Sequence, residues 1–337
     1  MEKRLNRVLQ AYPIEPTSIH QITDNLFQII VHQHSFALKK SKLDQSTVSY
    51  WEYTYRTAYN NQLQSIIPVY QTKQNQLYYQ EGEDIYYLCP WVEEERTSID
   101  EGSIRALYQA IATIHEKTKR SQNMAGKEWS NDFKVYLSYC EDLEQQLRST
   151  IILYEKRHYM SPFELLVCTQ FRDVEYALRE IRKRLDQFTK EDEKRETWNV
   201  SLCHRNLSTE HLRGSYIINW ENAGYENAII DLVSFFRHEV RLFDAPKNSF
   251  LENFSYYNNL HPLTLAEVQL LAVYLLNPIP YFELINEYRS KEPRTEISFI
   301  KELQKAYRVI LFGIEWSQYV EREYEIVKFD EPEEGLD

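Results

Sequence analysis

From Ile19 to Lys42 apolar and polar residues alternate, with Asp24-Asn25 as a turn, which predicts two or three antiparallel strands. The period then lengthens. Between Gln45 and Gln64, Val48, Trp51, Tyr55, Ala58, Tyr59 and Leu63 recur near every 3.6 residues and predict one amphipathic helix. A short apolar run, Ile66 to Tyr70, is followed by the polar turn QTKQNQ. LYYQ, a turn at Gly82 and IYYLCPWV complete a meander.

After Pro90 both composition and period change. EEERTSIDEGS reads as a charged linker, and Ser103 to Lys119 places Ile104, Leu107, Ala110, Ile111, Ile114 and His115 on one helical stripe. Long helical patterns follow at about 131–158, 162–190, 263–277 and 297–327, with Pro162, Pro278 and Pro280 as breakers. Among them sits a second extended block, LCHRNLSTEHLRGSYIINWENAG, with a tight turn at Gly214-Ser215 and a strand from Tyr216 to Trp220. The expected division is an amino-terminal lobe over 1–89, a helical carboxy-terminal lobe over 90–328, and an acidic flexible tail over 329–337.

Composition narrows the classes of function. The 337 residues are 43% hydrophobic, and no run reaches the roughly 18 apolar residues of a membrane span, so a globular chain with a sizeable core is expected. Thirty-nine basic against fifty-one acidic side chains leave a net charge of −12, which argues against nucleic acid or anionic lipid as a partner. Four cysteines without C-x-x-C pairs indicate neither a zinc site nor a disulfide framework. The opening MEKRLNRVLQAYPIEP lacks the apolar core of a secretory signal, so synthesis in the cytoplasm is expected. Only seven glycines occur and none precedes Gly82, which disfavours a glycine-rich phosphate loop near the amino terminus.

A sheet with one helix, an extended connector and a mainly helical region with one loop-and-hairpin insert describe an α+β, bilobal protein kinase-like fold. Within the insert, His204-Arg205-Asn206-Leu207-Ser208-Thr209-Glu210-His211 has the spacing of the kinase catalytic loop H-R-D-L-x-x-x-N. Asn206 stands where that loop has its catalytic aspartate, and His211 where it has a metal-binding asparagine. Ile217-Ile218-Asn219-Trp220-Glu221-Asn222-Ala223 resembles the magnesium-binding segment I-D-W-x-x-A of aminoglycoside and choline kinases, with Asn219 in place of the chelating aspartate. Phe36-Ala37-Leu38-Lys39 resembles the strand that carries a phosphate-contacting lysine, with Glu52 as the expected partner of Lys39. Leu88-Cys89-Pro90-Trp91-Val92 resembles the hinge that borders a nucleotide cleft. Asp231-Leu232 resembles the pair that opens the following helix, where the carboxylate reads as a cap. His204 reads as a structural anchor of its loop.

Together these motifs, over roughly residues 19 to 325, resemble the aminoglycoside phosphotransferase-like proteins of bacterial endospore coats, the CotS/YutH type. Tyr86-Tyr87-Leu88-Cys89-Pro90-Trp91-Val92-Glu93 and Leu202-Cys203-His204 through Leu212 carry that likeness. The resemblance implies deposition at the spore coat with coat proteins as partners, and a cleft in which Lys39, Glu52 and Leu88 would meet a nucleotide or small molecule.

The substitutions set the chemical expectation. Phosphoryl transfer needs carboxylates to hold magnesium and one to orient the attacking hydroxyl. Asparagine at 206 and 219 keeps the shape and removes the charge, while an imidazole at 211 suits softer metals than magnesium. The sequence therefore predicts a catalytically degraded kinase-like protein, a pseudokinase with no cofactor and a structural or assembly role in the coat. The alternative is a divergent ATP- and magnesium-dependent small-molecule phosphotransferase that uses Glu210 or Glu221 as metal ligand.

Overall fold

The computed structural model describes residues 2–93, 100–123, 127–192, 197–291 and 293–325. In chain order the elements are α1 (Glu2–Gln10), β1 (Ser18–Thr23), β2 (Leu26–Val31), β3 (His34–Ser41), α2 (Val48–Asn60), β4 (Tyr79–Glu81), β5 (Asp84–Pro90) and α3 (Glu101–Thr118). They continue with β6 (Arg120–Asn123), α4 (Lys127–Glu155), α5 (Pro162–Asp192), β7 (Thr197–Cys203), β8 (Leu212–Arg213), β9 (Tyr216–Ile217) and β10 (Gly224–Glu226). The remaining helices are α6 (Ile229–Glu239), α7 (Lys247–Glu252), α8 (Ser255–Asn258), α9 (Leu265–Leu276), α10 (Ile279–Arg289) and α11 (Glu296–Val320), which runs on into a π-helical turn, Glu321–Glu325.

Packing divides the chain into two compact units, Met1–Arg120 with Val200–Ala228, and Ser121–Asn199 with Ile229–Asp337. This differs from the expected boundary at residues 89 and 90, because α3 and the loop-and-hairpin insert both belong to the sheet-bearing unit. The tethers are specific. Ser201 Oγ donates to the His115 carbonyl at 2.9 Å and the Leu202 amide donates to Thr118 Oγ1 at 3.0 Å, fastening the end of β7 to the last turn of α3. The Ile217 amide donates to the Ser65 carbonyl at 2.6 Å, tying β9 to the segment after α2. Most of the expected linker, residues 94–99, and the whole acidic tail lie outside the described residues.

In the first unit five strands form an antiparallel sheet in the order β1-β2-β3-β5-β4. The pairing places Phe27, Leu38 and Leu88 side by side, and Leu26, Lys39 and Tyr87 side by side one residue away. Successive side chains in a strand point to opposite faces, so these two rows face opposite ways. The first row packs under α1, whose Leu5, Val8 and Leu9 join Phe27, Ile29, Leu38 and Leu88 in one buried cluster. On α2, Trp51 and Tyr55 are buried, and the Trp51 ring lies 5.0 Å from that of Tyr87. Tyr59, expected on the same stripe, is 85% exposed, since the buried face is already complete with Trp51, Tyr55 and Ala58.

The second unit is helical, with α4, α5, α9, α10 and α11 sharing one core from Leu143 and Leu147 to Leu303 and Ile310. Gly313 on α11 lets two helices approach closely: a Cβ there would stand 2.8 Å from the Leu276 amide nitrogen on α9. Thr264 and Glu267 form a reciprocal capping box that starts α9. By length and composition alone, the stretch Leu265–Arg289 is apolar enough to cross a membrane. However, 67% of that window is buried inside the fold, and the stretch is broken into α9 and α10 at Pro278.

Candidate active site

Strand β3 presents Lys39 on the sheet face opposite α1, and its ammonium has two partners. Nζ donates to Asn219 Oδ1 at 2.6 Å and pairs with Glu221 Oε1 at 2.5 Å. The same Glu221 oxygen accepts the Tyr87 hydroxyl at 2.8 Å. Local backbone geometry brings both acceptors to the lysine. Asn219 sits in the left-handed region at φ 67° and ψ 51°, a conformation that asparagine tolerates better than most residues, and a 3-10 turn over Trp220–Asn222 follows directly. Buried Trp220 pins that turn by donating from Nε1 to the Ile217 carbonyl at 2.8 Å. His204, also buried, bonds through Nε2 to the Ile218 carbonyl at 2.8 Å, as expected of an anchor, and its ring lies 4.9 Å from that of Trp220.

These groups open onto a cavity of about 600 Å³ within the first unit. One wall is the sheet face with Leu26, Ala37, Lys39, Tyr87 and Cys89. Thr23 and Asn25 of the β1–β2 turn form the lip, and Pro90, Trp91 and Val92 form the connector side. Glu210, His211, Arg213, Ile218 and Asn219 close the cavity.

The electrostatics follow from burial and pairing. Burial pushes the Glu221 carboxyl up, but the Lys39 charge and the hydrogen bonds from Lys39 and Tyr87 more than offset this, and the group sits below the ordinary glutamate range. Tyr87 is held well above its ordinary value by burial and then by the Glu221 charge, so it stays protonated and donates. Burial also pushes the Cys89 thiol up to about 12 against the opposing pull of Lys39, which makes it a packed thiol rather than a nucleophile.

The structure gathers some of the expected site residues and separates others. Lys39, Glu210, His211 and Asn219 all line the cavity, and Glu221 reaches it through Lys39. His211 Nδ1 lies 3.1 Å from Ser208 Oγ. Asn206 is exposed in the loop after β7. Two expectations are corrected. Glu52 lines a different cavity, with Tyr55, Arg56 and Tyr216, and the carboxylate that Lys39 meets is Glu221. Leu88 is fully buried in the core under α1, and its carbonyl accepts the Tyr70 amide at 2.8 Å; its neighbours Tyr87 and Cys89 face the cavity instead. Sequence reasoning missed Tyr87, although its alternation with Leu88 on the connector strand was a signal that the two would face opposite ways.

No family model matches the chain, and no curated protein matches it. Solved structures do. An aminoglycoside phosphotransferase from Alicyclobacillus acidocaldarius superposes with a TM-score of 0.69 at 15% identity, covering 94% of this chain and 96% of that one. The chain has the aminoglycoside phosphotransferase-like fold. The AMP-bound complex of spectinomycin phosphotransferase APH(9)-Ia shares that fold at TM-score 0.56 and 13% identity, covering 93% of this chain and 98% of that one. A microcompartment-associated aminopropanol kinase also matches at TM-score 0.56, with 12% identity, covering 94% and 98%.

These comparisons overturn the expectation of a chain that is not an enzyme, since the solved structures sharing the phosphotransferase-like fold are named phosphotransferases and kinases. One of its premises is also corrected. The site is not left uncharged by asparagine at 219, because the turn at Trp220 returns a carboxylate, Glu221, to Lys39. The spore-coat association implied by the motifs finds no support in the comparisons.

Proposed function

We propose that this chain is an ATP-dependent small-molecule phosphotransferase with its nucleotide in the cavity beside Lys39. The observation that carries this reading is the Lys39 ammonium, held at the cavity wall by Asn219 and Glu221 in a fold shared with phosphotransferases. Phosphoryl transfer relies on positioning and charge neutralisation more than on covalent help from the protein. Lys39 can exchange its carboxylate contact for a phosphate oxygen as nucleotide enters. The tyrosine hydroxyl then keeps Glu221 oriented.

The donor set fits magnesium. Asn219 Oδ1 and the carboxylates of Glu221 and Glu210 are hard oxygen donors, and the Lys39 and Tyr87 contacts of Glu221 both fall on Oε1. These residues would hold the ion, which would neutralise charge on the transferred group. Asn206 can hydrogen-bond a substrate hydroxyl without accepting its proton, so turnover is expected to be slow. Candidate substrates are small alcohols, amino alcohols and aminoglycosides.

Calorimetric titration with a non-hydrolysable ATP analogue, with and without magnesium, tests the reading, followed by an assay of γ-phosphate transfer to that substrate panel. Magnesium-dependent binding that weakens at least tenfold in Lys39→Ala and loses its magnesium dependence in Glu221→Gln is expected. Absence of binding by the unaltered chain in either buffer overturns the reading. Deposition at a spore coat rests on the motif resemblance alone; imaging a fluorescent fusion in a sporulating host tests it.

A further inference from the structure

A second cavity, of about 310 Å³, lies within the helical unit, lined by residues from the end of α6, from α10 and from α11. Four cationic and three carboxylate side chains line it, and two of the cations are neutralised locally. Arg294 pairs with Glu287 at 2.8 Å, and Lys305 pairs with Glu302 at 2.8 Å. The other two, Arg237 and Arg241, are four residues apart and have no carboxylate partner among the described residues. The remaining acid, Glu283, is exposed at the rim.

Arg237 is half-buried, and its one hydrogen bond among the described residues goes to the Tyr274 carbonyl near the end of α9. A guanidinium carries five N–H donors, so most of this one's donors have no acceptor among the described residues. Burial first, and the Arg241 charge next, push the Arg237 guanidinium below its ordinary value. The Arg241 carbonyl accepts Arg308 Nε at 2.8 Å, which fixes the backbone that carries the Arg241 side chain. Concentrating positive charge in a partly dry cavity is unfavourable unless an anion balances it. Closing the end of α9 would need one N–H from Arg237 and would not need Arg241.

We propose that this cavity binds a small phosphate-bearing anion, free phosphate or a phosphomonoester, on the guanidinium groups of Arg237 and Arg241. Guanidinium forks match phosphate oxygens in bidentate geometry, and the volume lies at the lower end of small-molecule pockets. The site belongs to the helical unit alone and does not depend on nucleotide binding at Lys39.

The test is calorimetric titration of the full chain with sodium phosphate and with glycerol 3-phosphate at constant ionic strength, alongside thermal melts. Both ligands are expected to bind and to raise the melting midpoint. Arg241→Ala, at an exposed position, is expected to weaken binding at least tenfold without moving the midpoint of the ligand-free protein. Lys39→Ala should bind both ligands as the unaltered chain does. Tighter binding of the ester would assign the site to a phosphomonoester, and equal binding would assign it to free phosphate. The proposal is overturned by no binding of either ligand, by equal binding in Arg241→Ala, or by binding lost in Lys39→Ala and kept in Arg241→Ala.

Discussion

Two arginines withdrawn from water in the helical unit are treated in opposite ways. Arg184 on α5 is fully buried and every part of its guanidinium is matched. Nε donates to Glu180 at 2.7 Å, Nη1 to Glu325 at 2.7 Å and to Gln269 at 3.1 Å, and Nη2 to the Ser317 carbonyl at 2.9 Å and to Glu321 at 3.1 Å. The network ties α5, α9, α11 and the π-helical turn together. Arg237 on α6 has one carbonyl and a like-charged neighbour. Burial alone therefore does not tell what a charged group is for; the saturation of its donors does. A saturated guanidinium is a fastener, and an unsaturated one beside a cavity holds its donors for a ligand.

The largest effect that would break this comparison is at Arg184. Arg184→Met leaves buried Glu180 with only the longer contact to Lys183 Nζ at 3.7 Å and is expected to cost about 3–5 kcal/mol in urea denaturation, as removal of one partner from a buried pair does. A cost under about 1 kcal/mol would show that the network fastens nothing.

Lys39 lies between the two extremes, with its side chain 24% exposed and two partners. Lys39→Ala is expected to cost about 1–3 kcal/mol, the range for hydrogen bonds to charged groups. Acid sensitivity gives a second reading of the same contact. The native Glu221 value is depressed, so its stabilisation is fully present above the ordinary glutamate value of about 4.3 and is lost as pH falls through the lower native value. Urea midpoints measured from neutral to acid pH should therefore fall less steeply in Lys39→Ala than in the unaltered chain. An unchanged slope would mean that Lys39 does not hold that carboxylate down.

The smallest effect belongs to Arg237. Arg237→Gln keeps a donor for the Tyr274 carbonyl and removes an unbalanced charge, so stability should move by less than about 1 kcal/mol while phosphate binding is lost. If this variant unfolds as readily as Arg184→Met, the two arginines do the same work and the contrast disappears.

Much of the architecture was legible residue by residue. The alternation before Lys42, the turn at Asp24-Asn25 and the stripe from Val48 to Ala58 each reappear as β1 to β3 and α2. Pro162 does start α5, and Pro278 does separate α9 from α10. Helix α1 has no counterpart among the expected elements, although Leu5, Val8, Leu9 and Tyr12 share a helical face, because the opening residues enter the sequence reading only as a test for a signal segment. The site was half legible: its motifs point to Lys39, His211 and Asn219, but Glu52 and Leu88 follow from analogy of position rather than from the face they occupy. Leu88 follows Tyr87 by one residue, and a period of two puts it in the core.

By itself, then, the sequence determined the strands, the helices and the order of the motifs, because periodicity and turn chemistry act over a few residues. Which carboxylate meets Lys39 was decided only in three dimensions. The choice falls on a residue about 180 positions along the chain, brought there by a left-handed asparagine, a pinned tryptophan and a strand tethered to the loop after α2. The same holds for the guanidinium groups. Arg184 and Arg237 look alike in sequence, and only the packing of distant helices supplies partners to one and withholds them from the other.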